Sequence, residues 1–206
     1  ARAVGRAGSV CLGRGGAGVG KSGFRTGLER RGRSVEIFGK GGARGSTRTT
    51  RANVALGYKT LAGVQARLKD YTGALESLGR AVKLEEALRA EDPNDATVEM
   101  ALSYSYSDTG YNLIRVNRHQ DAADLYRKAL VIRDRMARID PKDVRAQNAV
   151  STTHDRWANV LANSGNGKEA LVEGRAALAI RERMAAQFPA NQDFQRDLSI
   201  SYMTMG

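Results

Sequence analysis

Three prolines, Pro93, Pro141 and Pro189, are the only ones in this chain, and they stand 48 residues apart. The same interval superposes the segments before them without a gap. Ala74, Ala122 and Ala170 fall together, as do Ala81, Ala129 and Ala177, then Val82, Leu130 and Leu178. Leu84, Ile132 and Ile180 align, and so do Leu88, Met136 and Met184. A fixed period of this size marks a solenoid, in which one supersecondary unit buries its apolar face only by stacking on the next.

Within each period the apolar residues recur at helical spacing, which predicts helix pairs. The first pair is Arg51 to Leu68 and Tyr71 to Glu91, the second Ala96 to Val116 and Gln120 to Ile139, the third Val144 to Asn163 and Lys168 to Gln187. A fourth first-helix starts near Asn191 and reaches the end of the chain. Between pairs, Asp92-Pro93-Asn94-Asp95 and Asp140-Pro141-Lys142-Asp143 stop one helix and cap the next, since proline cannot continue a helix interior and aspartate accepts from free N–H groups. Lys69-Asp70, Asn117-Arg118 and Gly165-Asn166-Gly167 fill the turns inside pairs. The expected fold is all-α, an α-solenoid of antiparallel helix pairs over residues 51–206. Its units are 51–93, 94–141, 142–189 and a partial 190–206.

Charge divides the chain in two. Residues 1–51 hold twelve basic residues against Glu29 and Glu36, whereas the remaining 155 carry 21 basic and 20 acidic groups. The net charge of +11 therefore belongs to the N-terminal segment, and the repeats have no electrostatic reason to seek phosphate backbones. Residues 1–50 also hold 14 of the 23 glycines, a composition that struggles to build a core. They read as a poorly structured basic segment or a domain fragment, in keeping with a chain that opens on alanine rather than methionine. A basic arm of this kind could hold nucleic acid or an anionic membrane. Cys11 is the only cysteine, and His119 and His154 are the only histidines, so disulfide frameworks and cysteine-based zinc sites within one chain are excluded. No run approaches the length of a membrane helix or a signal-peptide core, which predicts a cytoplasmic protein.

Inside the glycine-rich segment, GGAGVGKS spans Gly15 to Ser22. It fits a glycine, four residues, then glycine, lysine and serine. Here the sequence resembles the opening of a P-loop nucleoside-triphosphatase or small-molecule kinase. That resemblance implies magnesium and ATP at Gly15, Gly20, Lys21 and Ser22, with the lysine on the outer phosphates and the serine on the metal. Gly23 and Gly27 interrupt the helix such a site needs, and the repeats begin by about residue 51, leaving no room for the parallel sheet. No catalysis and no cofactor are accordingly expected of the chain, with magnesium and ATP at this segment as the alternative.

The repeats resemble the tetratricopeptide family, a helix-turn-helix unit usually of about 34 residues. The family's small residues at close crossings fall on Ala122 and Ala129, with the large residue between them at Tyr126. In the first helices its large-small pair falls on Leu61-Ala62, Thr109-Gly110 and Trp157-Ala158. Fourteen extra residues per unit, at ~1.5 Å each, lengthen both helices by about two turns. Gly174 stands where Tyr126 and Leu78 have bulk, and Trp157 is expected to fill that space. LVIRDRMARIDP and LAIRERMAAQFP resemble the second helices of long-helix arrays in bacterial multidomain signalling proteins, often joined to serine/threonine kinase domains.

The resemblance implies a protein-protein interaction scaffold that binds a peptide or partner helix in a groove lined by first helices. Carried over by register, the groove comprises Lys59 and Arg67, then Tyr104, Ser107, Tyr111 and Arg115, then Asp155, Asn159 and Asn163. The family's clamp for C-terminal carboxylates matches at Lys59 and Arg156 but not at Gly63, Asp108 or Thr152, so chaperone-tail binding is not expected. His154, aligned with Tyr106 and Tyr202, reads as a packed residue rather than a base.

Overall fold

The computed structural model describes residues 47–205. Among them are seven helices and no strand: α1 (Arg48–Arg67), α2 (Tyr71–Glu91), α3 (Ala96–Arg115), α4 (His119–Ile139), α5 (Val144–Asn163), α6 (Gly167–Gln187) and α7 (Gln192–Met205). Each helix packs on its neighbours in the chain, and α1 also touches α3. This is a solenoid of three antiparallel pairs followed by a further first-helix. The proposed nucleotide residues Gly15, Gly20, Lys21 and Ser22 lie outside the described residues.

The helix ends repeat with the same period as the prolines. Asp95 and Asp143 each accept two backbone N–H groups of the helix they cap, from Thr97 and Val98 and from Arg145 and Ala146. Asn191 does the same for Asp193 and Phe194. Inside the pairs, Lys69, Asn117 and Gly165 occupy one register position, and all three are left-handed, with φ of 63°, 60° and 82°. Each turn closes the preceding helix with the bond from the residue after the left-handed one: Asp70 N–H to Gln65 O, Arg118 N–H to Leu113 O and Asn166 N–H to Leu161 O. Only the third turn uses the glycine that this geometry favours.

Helix α1 begins at Arg48, three residues before the expected Arg51. Thr47 caps it, its Oγ1 accepting from the Thr50 N–H. Arg48 then donates to Asp95 at 2.8 Å and to Leu88 O at 3.0 Å, while Arg51 donates through both terminal nitrogens to Glu91. Two arginines counted with the basic segment are thus spent tying α1 to the end of α2.

The small residues set the closeness of packing. Ala74, Ala81, Ala122, Ala129 and Ala177 are fully buried. At Gly110 a Cβ would lie 3.1 to 3.3 Å from the ring carbons of Tyr126, itself fully buried, so this crossing is built around a glycine and a tyrosine. Trp157 departs from expectation. It packs against the cluster of Leu130, Val150, Ile180 and Met184 and against that of Leu113, Ala123, Tyr126 and Val160. Those contacts hold it between the second and third units. Successive helical residues point about 100° apart, and it is Ala158, not Trp157, that meets the space beside Gly174.

Candidate functional site

Apart from Glu99, which Arg135 pairs at 2.8 Å, the buried charge lies in two columns of the repeat, 59/107/155 on the first helices and 85/133/181 on the second. In the first unit the pair is Lys59 and Glu85, 3.3 Å apart, and Lys59 also donates to Ala101 O at 3.0 Å. In the third the polarity is reversed, with Asp155 accepting from Arg181. Arg181 also donates to the Ser201 hydroxyl, as Arg133, 48 residues earlier, donates to that of Thr153. The second unit breaks the pattern. Arg133 is 3% exposed, and its place for a counterion is held by Ser107, which is 1% exposed. The guanidinium bonds only neutral oxygens, of Ser103, Ala149 and Thr153, and lies 4.8 Å from the centre of the Tyr104 ring. Burial without a paired carboxylate pulls the Arg133 guanidinium down to about 10.

Another column singles out the same unit. Val64 and Val160 are buried at one position, and Asn112 stands there in the second unit, 3% exposed. Its Nδ2 donates to Asp108 O at 2.8 Å, while its Oδ1 is without a hydrogen-bond partner. The hydroxyls of Ser107 and Tyr126 are also buried without partners. Unsatisfied buried polar groups are scarce in folded proteins and costly, about 1–3 kcal/mol each. With the Ser105 hydroxyl and His119 Nδ1, five such atoms sit on α3 and α4, the helix packed against it.

The residues expected to line one groove divide into distinct places. Lys59, Arg67 and Tyr111 line a recess of about 300 Å³ between α1, α2 and α3, together with Asp108 and Asn112, which sequence reasoning did not select. Asp155 and Asn159 line a larger cavity, about 840 Å³, between α5, α6 and α7. Tyr104 and Tyr111 are exposed at 45% and 41%. Arg115 donates to the Tyr111 hydroxyl at 2.9 Å and stacks 5.0 Å from its ring centre. Asn163 is exposed. Ser107 differs from expectation, being buried beneath the face, while Lys59 lines the recess with its ammonium held in the ion pair to Glu85.

Burial pushes the Asp108 carboxyl up, with Arg156, Lys59 and Arg133 opposing. Burial raises Asp155 as well, against the pull of Arg181. His154 shares a hydrogen bond of 2.6 Å with Glu173, linking α5 to α6. Among the described residues no group of histidines, cysteines and carboxylates is arranged to hold a metal, and no helix is long and apolar enough to cross a membrane.

No family model matches the sequence, and no curated protein does. Among solved structures the chain is similar to BtubC (BKLC) from P. vanneervenii, with a TM-score of 0.55 and 15% identity, covering 88% of this chain and 73% of that one. The likeness concerns the fold.

Proposed function

We propose that this chain is a protein-interaction scaffold, a long-helix array of the tetratricopeptide type that holds an extended peptide or partner helix along its first-helix face, within a larger bacterial signalling protein. The observation that carries this reading is the second unit. It places Asn112 where Val64 and Val160 stand, leaves the Asn112 Oδ1 without a partner, and presents that residue to the recess shared by Lys59, Arg67, Asp108 and Tyr111. A buried acceptor kept where the fold accepts valine is a local cost, and such costs concentrate at functional sites. When the Asn112 side chain turns into the recess, an extended peptide supplies the N–H that its Oδ1 lacks in the free protein. The exposed rings of Tyr104 and Tyr111 add amphipathic contact area at small entropic cost.

A displayed peptide library selected on the full chain tests this. The best peptide, labelled and titrated by fluorescence polarisation, is expected to lose at least about tenfold in affinity on Asn112→Val and on Tyr104→Ala, a difference of ~1.4 kcal/mol. Equal affinity for both variants and the parent would place the binding elsewhere.

A further inference from the structure

The third unit departs from the first two at one pair of facing positions. In the first unit Ala62 and Leu78 share a buried cluster. In the second, Gly110 lies against the Tyr126 ring. The corresponding residues 48 positions on are Ala158 and Gly174, neither with bulk, and both line the cavity of about 840 Å³ between α5, α6 and α7. An interior glycine weakens a helix, because it leaves the unfolded chain more freedom. Gly174 is therefore kept at a local cost, and the space it leaves is of the size that takes a ligand or an anchoring side chain.

Among the described residues the charges around the cavity are not all matched. Arg181 is taken by Asp155 and by the Ser201 hydroxyl. Asp197, by contrast, has only its sequence neighbour Arg196, at 3.9 Å, and Lys168 pairs with no carboxylate among the described residues. The lining thus offers a carboxylate on α7 and an ammonium at the start of α6.

We infer that this cavity is an anchor pocket for a tyrosine of a bound peptide, with a basic residue on one side of that tyrosine facing Asp197 and an acidic residue on the other facing Lys168. The occupant is the one the second unit provides from within, where Tyr126 fills the equivalent place. The inference rests on the reading of the first-helix face as a peptide site and names what one part of that face selects.

The test titrates the acetylated, amidated pentapeptide Gly-Glu-Tyr-Lys-Gly into the isotopically labelled full chain and follows amide NMR shifts. Saturable shifts at Ala158, Gly167 and Gly174 are expected, weakened at least about tenfold when alanine replaces the peptide's tyrosine, as for a buried aromatic anchor. Gly174→Leu fills the pocket and should remove those shifts while raising the midpoint of thermal unfolding, which separates blocking from misfolding. Asp197→Lys, a change at a half-buried position, should weaken this peptide and strengthen Gly-Glu-Tyr-Glu-Gly. Shifts that ignore the tyrosine or either variant overturn the inference. So does concentration-dependent self-association abolished by Gly174→Leu, which assigns the cavity to a second copy. If the library-selected peptide loses affinity on Asn112→Val but not on Gly174→Leu, the anchor pocket falls while the peptide face stands.

Discussion

Replacing Asn112 by valine should make the protein more stable, although it removes a hydrogen bond. The bond lost runs from Nδ2 to Asp108 O, at 2.8 Å. That carbonyl lies in the interior of α3, where the helix ladder continues to engage it. A typical bond of this kind contributes ~1 kcal/mol net. Against it stands the buried Oδ1 without a partner, whose desolvation costs about 1–3 kcal/mol. The position takes valine without rearrangement, since Val64 and Val160 occupy it in the flanking units and both are buried. Valine and asparagine have nearly equal helix propensities, so the backbone contributes little to the difference. The balance is a stabilisation of about 1 kcal/mol, or roughly 2–4 °C in unfolding midpoint for a chain of this size. Urea unfolding followed by circular dichroism checks it, the midpoint rising with an unchanged slope. Destabilisation by about 1 kcal/mol or more would refute the reasoning, because it would mean that Oδ1 is satisfied in the free protein.

Ser107→Asp gives Arg133 the carboxylate that Arg181 has in Asp155. The depression of Arg133 to about 10 corresponds to ~3 kcal/mol against its charged form. Part of that is recovered after the new carboxylate's own desolvation, so the urea midpoint should rise by the equivalent of about 1 kcal/mol. Lys69→Gly relieves a left-handed residue at φ 63° and should stabilise by ~0.5–1 kcal/mol, measured the same way, once the added freedom of the unfolded chain is deducted. Trp157→Ala empties a position shared by two core clusters and should cost ~3 kcal/mol or more, with the third unit losing amide-exchange protection first. Carboxyl NMR titration should find Asp108 and Asp155 above the ordinary aspartate value, because of burial, and Asp95 below it, because Arg48 donates to it. Folding then favours protonated Asp108 and Asp155, whose contribution is full below about pH 3.9 and is lost as pH rises through their folded values. Asp95 runs the opposite way, contributing above about pH 3.9 and losing that contribution as pH falls through its lowered value.

The helical architecture was legible because proline, aspartate caps and small residues each act through local rules that repeat with the period. Tyr71–Glu91 and Val144–Asn163 fall where the pattern predicts them. The start of α1 was not legible, since Thr47 precedes a run of threonine and arginine with no acidic residue in the first turn. The place of Trp157 was not legible, since the sequence does not show which of Trp157 and Ala158, about 100° apart around the helix, points toward Gly174. The unmatched Arg133 needed two columns read together: Ser107 looks like a polar groove residue until Lys59 and Asp155 are seen paired with the residues that align with Arg133. The large cavity likewise depends on a joint absence, at Ala158 and Gly174, which neither helix reveals alone.

The claim that first helices receive a partner is tested most directly by mapping the library-selected peptide on the full chain through backbone amide shifts. Saturable shifts concentrated on α3 and α5, with Tyr104, Tyr111 and Asn112 among the most affected, are the predicted result. Shifts confined to second helices, or to residues 1–46, would contradict it.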